Sequence, residues 1–192
     1  MVALLVIVGV VAIAIAGGFR TRAVPQIDVG VNSEMDAGNL VFRFQSATAQ
    51  YDPSAIGDPW SVVVTGEVRN PQAAAMTLMS GSPTNLVGVG RPALPNQLRY
   101  SYKLGAAGSD AAPSNARQTV PPGNDFVPLQ VKFTFAEGFV PGETFPVGVL
   151  VMQYTNNTVL GLSEEKNWNP DPLARPMVVR LPCTHLPDAT GS

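Results

Sequence analysis

Apolar residues recur at every second position in several stretches of this chain, the period expected of extended strands with one buried face. In "NLVFRFQSATAQ", Leu40, Phe42 and Phe44 fall on one side and Val41, Arg43 and Gln45 on the other. "SVVVTGEVRNP" sets Val62, Val64, Gly66 and Val68 in one register before Asn70-Pro71 ends the run. The clearest alternation is "FVPLQVKFTF": Val127, Leu129, Val131, Phe133 and Phe135 share a face, and Pro128, Gln130, Lys132 and Thr134 take the other. Pro128 predicts an edge position or a strand start, because proline has no N–H for the ladder. "NQLRYSYKLG" alternates Leu98, Tyr100 and Tyr102 against Arg99, Ser101 and Lys103, which predicts a further half-buried strand.

Other segments carry weaker patterns. A strand is expected around Gln26 to Val31, short ones at Met76 to Met79 and Leu86 to Val89, and a closing one in "ARPMVVRLP". "ETFPVGVLVMQYT" is nearly continuous in apolar residues, which predicts one central strand covered on both faces, with Asn156-Asn157 as the turn after it. "YDPSAIGDPW" is a loop held by Pro53, Gly57 and Pro59, and "AAGSDAAPSNARQTVPPGND" is the longest polar, turn-rich stretch. About seven to nine short strands with no amphipathic helix between them predict an all-β, immunoglobulin-like antiparallel two-sheet sandwich.

The leader breaks this pattern. No residue from Val2 to Phe19 is charged, a run close to the roughly 20 residues a helix needs to span a bilayer. The expected anchor helix is carried by Val2, Leu4, Leu5, Ile7, Val10, Ile13, Ile15 and Phe19. Only Met1 precedes the run, and Arg20 and Arg22 follow it. The positive-inside rule alone would then keep the remainder cytoplasmic, unless a start upstream of Met1 supplies basic residues. Ala14-Ile15-Ala16 before Gly17 has the small-x-small pattern of a signal-peptidase site, so an uncleaved anchor and a cleaved signal both stay open. The expected division is an anchor at 1–22, a linker and entering strand at 23–38, the sandwich at 39–183 and a flexible tail at 184–192.

Composition narrows the function classes. Charged residues are 14% of the 192 and the net charge is −2, so there is no basic face for nucleic acid. The 18 Gly and 18 Pro follow no collagen-like period and punctuate short apolar runs, which suits a turn-rich β domain. The single Cys183 has no partner for an internal disulfide.

Candidate chemistry is sparse. Histidine occurs once, as His185, in the Pro-rich segment "LPCTHLPDATGS" expected beyond the last strand. That is a poor mount for a catalytic base, which must be held rigidly against a nucleophile. Cys183 and His185 supply two soft-metal ligands, short of a four-coordinate site. Asp52 and Asp58 bracket a loop without the alternating oxygen ligands of a calcium site. Neither G-x-G-x-x-G nor G-x-x-x-x-G-K-[ST] is present. The expectation is a non-enzymatic protein with no cofactor and no metal. Trp60 and Trp168 are assigned to closing the core ahead of lining a ligand groove. Tyr100, Tyr102 and Tyr154 form a candidate partner face, provided their registers coincide on one sheet.

In order, "VGVNSEMDAGNLVFRFQSATAQ", "PWSVVVTGEVRNPQAAAMTL", "TVPPGNDFVPLQVKFTFAEGFVPGETFPVGVLVMQY" and "WNPDPLARPMVVRLP" resemble single-pass envelope proteins, common in actinobacteria, with an extracytoplasmic immunoglobulin-like sandwich. The resemblance covers most of residues 24–182 and rests on structural motifs: a strand closed by a polar residue, and a "PPG" turn into an alternating strand. The chain departs from the family in lacking the short basic stretch before the apolar helix. The resemblance implies a domain tethered outside the cytoplasm, with another membrane or envelope protein as partner, as in an accessory subunit of an ABC transporter. The alternative is a secreted sandwich that binds a small apolar or glycan ligand.

Overall fold

The computed structural model describes residues 25–57, 59–78, 86–88, 99–105, 118–135, 138–156 and 166–189. Among them the secondary structure is strand throughout, with no helix. In chain order the strands are β1 (Ile27–Val29), β2 (Met35–Asp36), β3 (Val41–Tyr51), β4 (Trp60–Arg69), β5 (Met76–Leu78), β6 (Leu86–Gly88) and β7 (Arg99–Leu104). They continue with β8 (Gln118–Val120), β9 (Val127–Phe135), β10 (Thr144–Val149), β11 (Met152–Asn156), β12 (Lys166–Pro170) and β13 (Met177–His185). The expected anchor, Val2 to Phe19, and most of the polar stretch after Leu104 lie outside the described residues. No described helix is long and apolar enough to cross a membrane.

The alternation read from the sequence becomes the core. Phe42, Phe44, Val62, Val64, Val68, Leu129, Val131 and Phe133 are all at most 1% exposed. Strand β4 pairs with β3 on one side and β9 on the other, both antiparallel, so these side chains share one face of a ladder. Facing it, β10 pairs with β6 and β13. Rings close the gap between the layers: Phe145 of β10 meets Phe133 at 5.5 Å and Phe135 at 5.8 Å. Buried aromatic side chains contribute about 1.5–3 kcal/mol each through the area removed from water. The architecture is all-β and sandwich-like.

Strand β13 joins the layers. Its first part, Met177–Pro182, pairs antiparallel with β10, and Met177–Val179 also pair parallel with β1. Its last part, Cys183–His185, pairs parallel with Ala47–Ala49 of β3. The connected order is β6-β10-β13-β3-β4-β9-β7, with β1 on β13 and β2 on β3. Strands β5 and β8 form one separate pair and β11 and β12 another.

Several expectations are corrected here. The sheet is not wholly antiparallel, because β1 and β3 both run parallel to β13. The strand expected around Gln26 to Val31 is β1, and the stretch after it is paired as well: β2 joins the ladder, and Met35 and Ala37 are fully buried. "ETFPVGVLVMQYT" is two strands in different sheets, β10 and β11, broken at Leu150-Val151. Val41, placed on the wet side, is buried beside the β2 segment that pairs with it. Lys103 is buried as well, where β8 folds back on the end of β7 and Gln118 Oε1 accepts from Leu104 N.

Pro128 takes the second of its two expected places, the strand start: it is the second residue of β9, which is not an edge strand. Its carbonyl accepts from Gly105 N at 2.9 Å, just past the end of β7. In an antiparallel strand a residue's N–H and C=O point the same way, so the missing N–H faces the side where β7 has run out. The segment expected as a tail is also tied down: β13 runs to His185, Leu186 N donates to Ala49 O, and Ala189 N donates to Tyr51 O.

Polar residues fix the corners. Asn70, fully buried at the end of β4, donates through Nδ2 to Ala74 O and Val120 O and accepts from Gln72 N. That replaces its hydration with protein partners and ties the β5–β8 pair to the main ladder. A register shift between Phe44 and Ser46 marks a β-bulge opposite Gly66. A Cβ on Gly66 would overlap the Arg43 carbonyl oxygen and lie 2.9 Å from Phe44 Cδ1. Gly66→Ala is therefore expected to cost about 1–3 kcal/mol through overpacking. A thermal melt followed by circular dichroism should show the midpoint falling by several degrees, and an unchanged midpoint would refute the close approach.

Candidate functional site

One end of the ladder collects aromatic side chains because three strands finish or start there. β3 ends at Tyr51, β4 begins at Trp60, and β13 ends at His185. Their rings form a chain: Tyr51 to Trp60 at 5.2 Å, and Trp60 to His185 at 6.1 Å, edge to face. Trp60 pairs across the ladder with Phe135, and Phe135 stacks on Phe139 at 3.9 Å. Trp60 is half-buried and packs against the core, as core closure expects, while its ring also meets Tyr51 and His185. Three apolar side chains stand exposed on the same end: Ile56 in the β3–β4 loop, Val140 between β9 and β10, and Leu186 just past β13.

The loop that carries Ile56 is shaped by local hydrogen bonds. Asp52 N donates to Pro59 O, and the Asp52 carboxylate accepts from Ser54 N at 2.9 Å and Ser54 Oγ at 2.6 Å. The Ser54 bonds hold the Asp52 carboxyl below its ordinary range, since they favour the ionised form. Asp52 thus serves the turn, and Asp58 lies outside the described residues. No group of three or more His, Cys, Asp or Glu is placed to hold a metal ion among the described residues.

His185 sits on a paired strand and not in a tail, with the Trp60 edge and, at 3.4 Å from Nε2, the Gly142 carbonyl as its neighbours. Cys183 is half-buried on the same strand, its N–H given to Glu143 O. The three tyrosines divide between two sheets. In β7, Tyr100 and Tyr102 stand at register positions opposite Phe133 and Val131, two core residues. Tyr154 lies on the β11–β12 pair, exposed, with its ring 5.4 Å from Trp168.

Two features of the opposite half escaped the sequence reading. Glu34 bridges two guanidinium groups, Arg43 and, at 2.8 Å, Arg69, and both stand over the Phe126 ring, 3.9 Å and 5.1 Å from its centroid. Beside this cluster, the bulge opens a groove of about 220 Å³ lined by Gln45, Thr65, Gly66, Glu67, Gly105, Pro128, Leu129 and Gln130. Pairings such as Glu34 with Arg69 join distant parts of the chain and leave no periodic trace. Ile56 and Val140 did leave a signal: each is an apolar residue inside a Gly/Pro turn, where burial is not expected.

No known family profile matches the chain, and neither a curated protein nor a solved structure matches it.

Burial pushes the Cys183 thiol above its ordinary range, because the thiolate is poorly solvated there. Alkylation by iodoacetamide should therefore be slow at neutral pH, with a pH midpoint above that of the chain unfolded in denaturant. A thiol more acidic when folded would be favoured by rising pH. Here the folded value is the higher one, so the contribution to stability is present at neutral pH and lost as pH rises through it. A native midpoint at or below the unfolded one would contradict this.

Proposed function

We propose that this chain is a non-enzymatic interaction module with an immunoglobulin-like sandwich, held at a membrane by residues 2–19 with the domain on the extracytoplasmic side. It docks onto another envelope protein, as an accessory subunit of a transporter-type complex does, through the end that carries Tyr51, Trp60 and His185.

The observation that supports the reading is the separation between Ile27, where the described chain enters the fold, and the aromatic end. β1 runs parallel to β13, so Ile27 lies beside Met177 at one end of that strand, and His185 lies at the other. At the usual rise the two ends are about 27 Å apart along β13. A tether ahead of Pro25 therefore joins the domain at the end opposite the aromatic cluster. Exposed apolar side chains on hydrogen-bonded loops, beside a half-buried tryptophan, are the composition of a contact surface. His185 in turn is occupied by an indole edge and a carbonyl, neither of them a nucleophile or a carboxylate.

The test is site-specific photocrosslinking of the full chain in its own cells. A benzoylphenylalanine at Ile56 should give one discrete adduct, and the same probe at Leu173, exposed at the end near Ile27, should give none. The combined change Ile56→Ser, Val140→Ser and Leu186→Ser should abolish partner co-purification in mild detergent. Stability should stay within about 0.5 kcal/mol per site, since all three side chains are exposed. Equal crosslinking at both ends, or a domain spared by protease on intact cells, would overturn the proposal.

A further inference from the structure

The groove at the bulge is separate from the aromatic end and has its own chemistry. Thr65 pairs with Gln130 across β4 and β9, and Glu67 pairs with Pro128, so these two rows stand on the same face two residues apart. That spacing is about 7 Å, and the rows run across β3, β4 and β9 for about 10 Å. Gly66 and Leu129 lie between them and turn to the core, so the floor is backbone flanked by side chains. Gln45, the extra residue of the bulge, is exposed at one end, and Gly105 closes the other.

We infer that this groove binds a neutral saccharide chain. Gln45, Gln130 and Thr65 each both donate and accept hydrogen bonds, and Glu67 accepts, which is the mixture that adjacent sugar hydroxyls require. The Pro128 ring gives an apolar patch for a sugar face. Charge decides between ligand classes. Glu67 is the one charged side chain in the described lining, and Arg43 stands 4.0 Å from it, so the groove carries no net cation to select an anion. Lys103, which pairs with Gln130 in register, is buried and not part of the lining. An apolar ligand would strand these polar groups without partners. The floor is backbone already held by strand pairing, so binding demands no closure.

The experiment is saturation-transfer NMR and calorimetric titration of residues 1–192 in detergent with maltohexaose, cellohexaose, chitohexaose and hexagalacturonate. At least one of the three neutral oligosaccharides should bind saturably and more tightly than hexagalacturonate. Gln45→Ala and Gln130→Ala should each weaken it about three- to tenfold, the loss of one hydrogen-bonding group. Ser61→Ala, toward the aromatic end of β4, should leave it unchanged, and melting curves of all variants confirm folding. No saturable binding of any neutral oligosaccharide, a preference for the galacturonate, or indifference to both glutamine changes in folded protein would overturn the inference. The Ile56, Val140 and Leu186 variant leaves this groove intact, so loss of docking and loss of saccharide binding are separate outcomes.

Discussion

Strand β13 is hydrogen bonded on two ladders in succession, to β10 and β1 through its first six residues and to β3 through its last three. A strand shared in this way fixes the two layers by backbone bonds, where a simpler sandwich holds its sheets by side-chain packing alone. Val178, Val179 and Leu181 are buried along its length, so the same strand carries hydrogen bonds and core volume together. Its two parallel partners, β1 and β3, come from the start of the domain, while β13 is its final strand. The ladder therefore closes only when the C-terminal segment has arrived, a non-local pairing of the kind that makes folding slow. The same closure sets the two ends of the domain apart, with the chain's point of approach beside Met177 and the aromatic cluster beyond His185.

Around this frame, local departures from regular pairing produce the surface features. The bulge at Phe44/Ser46 exists because Gly66 lets the β3 backbone come close, and the misfit leaves a groove on the polar face. Gly38, with φ at +83°, brings the chain against the Met152 carbonyl, where a Cβ would stand at 2.6 Å. Ala37 O accepts from Met152 N in the same place, so the start of the domain is stitched to β11. The cluster of Glu34, Arg43, Arg69 and Phe126 holds the turn after β1 against β3 and β4. Its members are partly exposed, so its net contribution is small, about 1 kcal/mol or less for each pair, and its role is placement more than stability.

An apolar end and a polar face stand on one ladder, and the two proposals draw on them separately. The proposed docking end uses apolar area and aromatic rings, whose burial against a partner is favourable without a net charge. The proposed saccharide groove uses amides and a hydroxyl carried by the β3–β4–β9 ladder, a backbone that holds its geometry better than loops do.

What the sequence by itself determined is the set of long strands with one wet face. The alternation in β3, β4 and β9 named Phe42, Phe44, Val62, Val64, Leu129, Val131 and Phe133 as core, because a two-residue period projects directly onto the faces of a sheet. The sequence also holds a single histidine and a single cysteine, a fact of composition that needs no structure. Tertiary structure alone decided the rest. Nothing local says that "ETFPVGVLVMQYT" divides between two sheets, that the entering strand lies parallel to the last one, that Cys183–His185 join the ladder, or that Tyr154 stands apart from Tyr100 and Tyr102. The aromatic end and the groove are also assembled from residues far apart in the chain. Periodicity reports which way a side chain points; which strand lies beside it is settled by long-range closure, and that leaves no mark in any single window of sequence.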